Sequence, residues 1–204
     1  MKASKPYILG LTGGIASGKS NIARTIKSYG IPVIDTDEIS HSLTKPSGLA
    51  LPRLREHFGD GIFQENGELI RSALSAVVFN NPKELAALNA IMHPMIFEEM
   101  ERRLNTHAHE PIVVLEIPLL FETGSQRYCD EVWTVYVPYQ EQLKRLIKRK
   151  IPKEQAIARI ASQMPAEKRN EQSDQIIDTS GTYEQTRAQV DKLLQDLKRR
   201  LDLV

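Results

Sequence analysis

Short apolar runs rich in β-branched residues recur along the chain without strict alternation. Tyr7-Ile-Leu-Gly-Leu11 is the first and ends at Gly13-Gly14. Ile31-Pro-Val-Ile34 is the second, closed by Asp35, and Ile112–Ile117, Val132–Val137 and Gln175–Asp178 follow. A strand wetted on one face alternates apolar and polar residues, whereas continuous apolar runs imply cover on both faces, as in a parallel sheet between helical layers. Helical periodicity fills the intervals. Lys19–Tyr29 puts Ile22, Ala23 and Ile26 on one face and stops near Gly30. Gln140–Lys150 and Lys153–Gln163 are two shorter helical segments, the second opened by Pro152. Tyr183–Leu203 closes the chain with Val190, Leu193, Leu194, Leu197 and Leu201 on one face. The pattern predicts an α/β protein with a five-stranded parallel sheet.

From about Ile39 to Glu110 no convincing strand pair occurs. The best segment there is Pro82 to about Thr106, where Leu85, Leu88, Met92, Met95, Ile96, Met100 and Leu104 recur at spacings of three and four. Asn81 can cap this helix and Pro82 fits its first turn. Pro94 falls inside the stripe and predicts a kink or a break. The region reads as a helical insertion on an α/β core.

Composition adds bounds. The 204 residues are 41% apolar and 26% charged, with a formal net charge of +1. That is the balance of an ordinary globular protein, and the total demands neither a nucleic-acid nor a membrane partner. The single cysteine, Cys129, allows no internal disulfide and suits a reducing, cytoplasmic setting. Met1–Pro6 is short and polar, unlike a signal peptide, and no apolar stretch is long enough to span a membrane.

Gly13-Gly14-Ile15-Ala16-Ser17-Gly18-Lys19-Ser20 fits G-x-x-x-x-G-K-[ST] between the first predicted strand and the first predicted helix. This spacing suits nucleotide phosphates. A glycine-rich loop turns successive N–H groups inward, and the helix start adds its positive end. Lys19 is then placed for the β- and γ-phosphates, and the Ser20 hydroxyl for Mg²⁺. Ala16 stands where a glycine is common, so it needs either φ < 0 or room for a small Cβ.

Two classes share such a loop. A guanine-nucleotide switch also needs N-K-x-D, which does not occur, and an early D-x-x-G. Asp178-Thr-Ser-Gly181 matches the latter, but it follows the last predicted strand and reads as a strand-end turn. A kinase needs an acceptor-binding insertion and an arginine-bearing lid that excludes water. The insertion is the helical region. Arg145 and Arg149, then Arg159 and Gln163, each one helical turn apart, are the lid candidates, although any one of these arginines can equally be a solvated surface residue.

Several strings, in this order, resemble the dephospho-coenzyme A kinase family. They are Leu11–Ser20, Val33-Ile-Asp-Thr-Asp37, His93-Pro94, Pro118-Leu-Leu-Phe-Glu122, Gln142-x-x-Arg145-x-x-x-Arg149, Arg159-x-x-x-Gln163 and Ile176-Ile-Asp-Thr-Ser-Gly181. The resemblance covers nearly the whole chain. It implies a three-layer P-loop kinase fold: a nucleotide core at 1–38 and 110–204, a helical acceptor-binding insertion at 39–109, and a lid at 140–170. It implies transfer of the ATP γ-phosphate, with Mg²⁺, to the 3′-hydroxyl of dephospho-coenzyme A, the last step of coenzyme A biosynthesis, by a monomer or small homo-oligomer. On its pattern Gly14, Ala16, Ser17, Gly18, Lys19, Ser20 and Asn21 bind ATP, with Ser20 on the metal. Asp37 orients or deprotonates the acceptor hydroxyl, and Pro118, Leu119, Leu120, Phe121 and Glu122 line the acceptor side. Arg149 reaches the transferring phosphates, and Arg159 lies near the adenine. The chain departs from the pattern at Asn21, Phe97, Lys150 and Thr179, none of which touches the implied chemistry.

Other residues have plainer readings. His93-Pro94 can present an imidazole or the proline-freed carbonyl of Ala90 to an acceptor, or simply mark a helix corner. His107 and His109 make a poor metal site without neighbouring ligands. Cys129 reads as a small packing residue and Trp133 as core. Glu116 ends the third strand, either as a carboxylate near Mg²⁺ or as a plain strand-end acid. Asp35 and Glu38 form a variant of the capping box, which assigns Asp35 to the helix start.

Overall fold

The computed structural model describes residues 5–79 and 81–203, so most of the polar N-terminal stretch lies outside the described residues. The chain forms two compact units, residues 1–34 with 107–204, and residues 35–106.

In the first unit the five expected strands form one sheet: β1 Tyr7–Gly13, β2 Val33–Asp35, β3 Ile112–Glu116, β4 Glu131–Tyr136 and β5 Gln175–Asp178. Their order is β2-β3-β1-β4-β5, and β1 pairs in parallel with both β3 and β4. The connection from β1 runs to β2 on one side and that from its neighbour β3 crosses to β4 on the other, so the carboxyl ends of β1 and β3 form the switch point where ligands of open α/β sheets bind. Leu9, Leu11, Ile112, Val114, Trp133, Val135 and Ile177 face a common core. Ile22, Ala23 and Ile26 of α1 (Lys19–Ser28) close it together with Val190, Leu194 and Leu197 of α9 (Tyr183–Arg200). Each such aliphatic side chain gains about 1.5–3 kcal/mol from leaving water. Thr182 and Gln185 form a full capping box at the start of α9.

On the other face, Gly10 makes room for its neighbours. A Cβ there would meet Cys129 Sγ at 2.7 Å and Leu120 Cδ1 at 2.9 Å. Cys129 is thus the packing residue expected, and burial, helped by the charge of Asp130, pushes its thiol up to about 12.

Between β4 and β5 lie α6 (Tyr139–Lys148), α7 (Lys153–Ala161) and α8 (Ala166–Glu171). The first two were expected, and α8 was not. It is six residues with an acid–base–polar sequence, too short and too polar to show a periodicity. The turn after α6 is a Schellman motif: Ile151 N–H reaches Leu146 O and Lys150 N–H reaches Ile147 O.

The second unit is helical, with α2 (Thr36–Leu43), α3 (Leu51–Phe58), α4 (Arg71–Phe79) and α5 (Pro82–Thr106). Asn81 caps α5 as expected, its Oδ1 accepting from the N–H groups of Lys83 and Glu84. Of the kink or break expected at Pro94, a break does not occur, since α5 continues as one helix through it. One lost backbone bond is outweighed by packing on both sides of it, where Met92 and Met100 are buried. An antiparallel bridge, Phe63 to Leu69, closes a small turn. Among the described residues no helix is long and apolar enough to cross a membrane.

At the amino end of β4 a buried acid ties three elements together. Glu131 accepts from Trp133 Nε1 at 2.7 Å, Arg200 Nη2 at 2.6 Å and Tyr7 Oη at 3.0 Å. Burial works against its charge, but the hydrogen bonds from Trp133, Arg200 and Tyr7 outweigh burial and hold its carboxyl below the usual range. A depressed pKa gives stability that is full above the unfolded value of about 4.5 and is lost as pH falls through the folded value. We therefore expect Glu131→Gln to lower the melting temperature at neutral pH and to flatten the fall of stability in acid. Thermal melts of both proteins across the acid range check this, and parallel wild-type and variant curves would refute it.

Candidate functional site

β1 delivers the chain to its carboxyl end at Gly13, where a Cβ would lie 2.7 Å from both Ser17 Oγ and Val135 O. Gly18 has φ 96° and opens α1. Ala16 has φ 60°, so of the two alternatives for this position the structure takes the strained one.

The loop is held from outside by side chains. Ile15 has both polar groups engaged: its N–H donates to Gln163 Oε1 at 2.7 Å, and its carbonyl accepts from Gln142 Nε2 at 2.8 Å. Arg145 Nη1 donates to the carbonyls of Ala16 at 3.2 Å and Ser17 at 3.3 Å. Arg145 also binds the turn after β5, with Nη2 on Thr179 O at 2.5 Å and Nη1 on Thr179 Oγ1 at 3.1 Å. Thr179 Oγ1 in turn donates to Ser17 O at 2.6 Å. In a trans peptide the C=O and the following N–H point in opposite directions. Holding the carbonyls of 15, 16 and 17 on the outside therefore turns the N–H groups of 16, 17 and 18 the other way, where that of Ser17 already donates to Gly14 O at 3.0 Å.

Lys19 and Ser20 lie on the first turn of α1. Lys19 Nζ sits 2.5 Å from Glu116 Oε1, and Ser20 Oγ is 3.5 Å from the same oxygen. Both side chains of the ion pair are largely buried, at 12% and 5% exposed. Glu116, left open as a metal-side carboxylate or a strand-end acid, thus faces the loop lysine directly. Beside the loop is a cavity of about 550 Å³ whose lining includes Asn21, Thr25, Arg145, Arg149, Tyr183 and Arg187.

The sequence-predicted residues fall into groups. Gly14, Ala16, Ser17, Gly18, Lys19, Ser20 and Asn21 come together as one loop and helix start, and Asn21 Oδ1 also takes a bond from Arg24. Arg149 lines the cavity, whereas Arg159 is exposed on α7 and is not among the lining residues. Thr12 Oγ1 donates to Pro118 O at 3.1 Å, Leu120 and Phe121 are buried, and Leu119 is 43% exposed. In the helical unit His93 is half-buried, edge-on to Phe97. Asp37 lies in the first turn of α2, and Asp35 Oδ1 accepts from the N–H groups of Asp37 at 2.8 Å and Glu38 at 3.4 Å. The capping box is only half made: the Glu38 carboxylate meets Arg103 Nη1 at 3.1 Å. Arg103 also pairs with Glu99, whose carboxyl the bonds from Arg102 and Arg103 hold at about 2.

Sequence reasoning missed Thr179 and Arg169. Thr179 was visible as part of a strand-end turn and as a departure from the family pattern but was given no role, and Arg169 sat in a polar stretch with no periodic signal. The structure buries both.

A model of the dephospho-CoA kinase family matches residues 7–185. The chain belongs to this family. It is 41% identical over 194 residues to the dephospho-CoA kinase of Carboxydothermus hydrogenoformans, covering 94% of each protein. A solved Thermus thermophilus protein superposes with TM-score 0.85 at 31% identity, covering 95% of this chain and 99% of that one. The solved dephospho-CoA kinase of Campylobacter jejuni gives TM-score 0.65 at 26% identity, covering 95% and 98%. The chain is thus a kinase with the α/β fold expected from its loop and strands.

The cap geometry makes Asp35 a structural acid. Asp35→Ala is expected to cost about 0.5–2 kcal/mol of stability, the range for a lost N-cap, while turnover is largely kept. Denaturant unfolding with parallel rate measurements checks this, and an inactive protein of unchanged stability would reverse the assignment.

Proposed function

We propose that this chain transfers the γ-phosphoryl group of ATP to the 3′-hydroxyl of dephospho-coenzyme A. The observation that carries the reading is the loop at the carboxyl end of β1, whose carbonyls are held outward and whose Lys19 and Ser20 converge on Glu116. Family membership supplies the acceptor.

In the reaction the acceptor oxygen forms a bond to the γ-phosphorus as the bond to the β-phosphate oxygen breaks, and ADP leaves. Loop N–H groups and Lys19 take the negative charge that spreads over the phosphoryl oxygens. Asp37 receives or orients the acceptor's hydroxyl proton. Arg149, at the cavity beside the loop, adds positive charge near the phosphates. Leu119, exposed after β3, is the apolar residue of its motif most open to an acceptor.

Ser20 and Glu116 offer one hydroxyl and one carboxylate oxygen. Among the described residues there is no cluster of three or more His, Cys, Asp or Glu that could hold a metal. This sparse all-oxygen set fits Mg²⁺, which keeps its waters and shares substrate phosphates. Bound there, Mg²⁺ would neutralise charge on the β- and γ-phosphates. We place the enzyme in the cytoplasm, in keeping with the free thiol of Cys129.

ADP formation is expected to depend on dephospho-coenzyme A, with little ATP hydrolysis in its absence. Lys19→Ala is expected to cut turnover by about 10²-fold or more. A coupled ADP assay with and without acceptor checks both, and rapid acceptor-independent hydrolysis would defeat the reading. Asp37→Asn, nearly isosteric, is expected to keep folding and ATP affinity while lowering kcat by about 10²-fold, the scale of a lost general base. Steady-state rates beside an ATP titration check it, and near-normal turnover would remove Asp37 from the chemistry.

A further inference from the structure

Ile15 and Met164 of the nucleotide-binding unit each have both backbone polar groups taken by two different side chains. Ile15 is held by Gln142 and Gln163. The Met164 N–H donates to Glu122 Oε1 at 3.0 Å, and its carbonyl accepts from Arg169 Nη2 at 2.6 Å. Gln163 and Met164 are consecutive, so their Cα atoms are a fixed 3.8 Å apart. Whatever holds Met164 therefore also places the root of the side chain that binds the Ile15 amide.

Arg169 is only 5% exposed. Its Nη1 lies against the loop, 3.1 Å from where a Cβ on Gly14 would sit, and Gln142 Nε2 is 2.6 Å from the same point. Gly14 is not among the positive-φ glycines, so its own backbone would accept alanine. It is the guanidinium and the amide that leave no room there for a side chain. The main chain of Arg169 is fixed as well: its carbonyl accepts from Ser173 Oγ at 2.7 Å, and Ser173 Oγ lies 2.5 Å from Thr134 Oγ1 of β4. The sheet thus anchors the arginine, the arginine and Glu122 hold Met164, and the Gln163–Met164 dipeptide passes that placement to the phosphate loop. Glu122 belongs to the Pro118–Glu122 segment that follows β3, so the path begins at two points of the sheet and ends on one loop amide.

We propose that Arg169 and Glu122 are positioning residues for the phosphate loop, acting through Met164 and Gln163 on the backbone of Ile15. One Nη of Arg169 is committed to Met164 O and the other lies beside Gly14, so the guanidinium meets the loop at its backbone. A loop whose amides are set before nucleotide arrives loses less conformational freedom on binding, and that difference appears as nucleotide affinity. The inference rests on the kinase reading only for the identity of the molecule that the loop holds.

The test uses the full chain and ATP alone. Arg169→Met and Glu122→Ala are expected to weaken ATP binding, measured by calorimetry without acceptor, by about tenfold, which corresponds to about 1.4 kcal/mol. Hydrogen exchange at the Ile15 amide should speed up in both, because its acceptor Gln163 is no longer held in place. Glu122→Gln keeps a carbonyl oxygen facing the Met164 N–H and should recover most of the affinity. In Arg169→Met the KM for dephospho-coenzyme A should stay within about twofold, which a general loss of structure would not allow. Arg169 is buried and its loss can unfold the chain. Glu122 is an exposed side chain, so Glu122→Ala carries the test in that event. Folded variants with wild-type ATP affinity and wild-type exchange at Ile15 would overturn the proposal. A wild-type protein that does not bind ATP would instead sink the kinase reading itself.

Discussion

The carbonyl oxygens of Ile15, Ala16 and Ser17 all find partners on the outer side of the phosphate loop, and the nucleotide-binding unit is arranged to deliver those partners. Peptide planarity converts each outward carbonyl into an inward amide. Gln142 and Arg145, three residues apart on α6, share one face of that helix and reach consecutive loop peptides. Thr179 arrives from the end of β5 because β4 lies between β1 and β5 in the sheet, so the two carboxyl ends open on the same side. Strand order thus decides which turns can brace the loop. A hydrogen bond contributes roughly 1 kcal/mol net, so the bracing does little for global stability and much for the direction in which a few amides point.

Charge is arranged on the same principle. The Lys19–Glu116 pair is largely buried, and such a pair is costly to desolvate, hence weak evidence of stabilisation by itself. Its physical effect is orientation: the long lysine stem is held at the loop, and Ser20 shares the same carboxylate oxygen. The cavity beside the loop carries Arg145, Lys148, Arg149 and Arg187 and no acidic residue in its lining. A polyanion with an apolar end suits such a wall, since the cations gain from partial exclusion of water and the exposed Tyr183 ring offers surface to the rest of the ligand.

The loop and the strand set were legible because each has a local cause. Continuous β-branched runs report burial on both faces, and the glycine and lysine spacing reports a phosphate-binding turn. Asp35 was legible as a cap for the same reason, since a cap is a two-to-three-residue event. The other half of the capping box was not, because Glu38 is drawn to Arg103, sixty-five positions away, and no local pattern records that competition. Pro94 shows the opposite competition: a local rule predicted a kink or a break, and α5 runs on as one helix with Met92 and Met100 buried to either side of it. Gln142, Gln163 and Arg145 were visible as motif positions, but their role as holders of the loop backbone depends on contacts between segments more than a hundred residues apart. Arg169 lay in a stretch whose composition reads as solvated surface, and only the fold shows it buried.

Ala16 shows how a local cost and a tertiary gain settle on one residue. Its φ of 60° is a conformation that costs a non-glycine residue roughly 1–2 kcal/mol. Its methyl group is 8% exposed and joins a small core with Leu146 of α6 and Ala156 of α7, rimmed by Ile15, Leu143, Ile151 and Ile160. Burying a methyl group contributes about 0.8 kcal/mol, and it fills a space that glycine would leave open. The two effects nearly cancel, which is why a position suited to glycine on backbone grounds can hold alanine. The consequence is directional. With glycine the loop would be relaxed, and α6 and α7 would lose an apolar contact to it. With alanine some backbone strain persists, and the loop is packed into α7 and into α6, the helix that also supplies Gln142 and Arg145. Strain in the loop is therefore offset by packing against α7 and against α6, whose side chains hold its carbonyls outward.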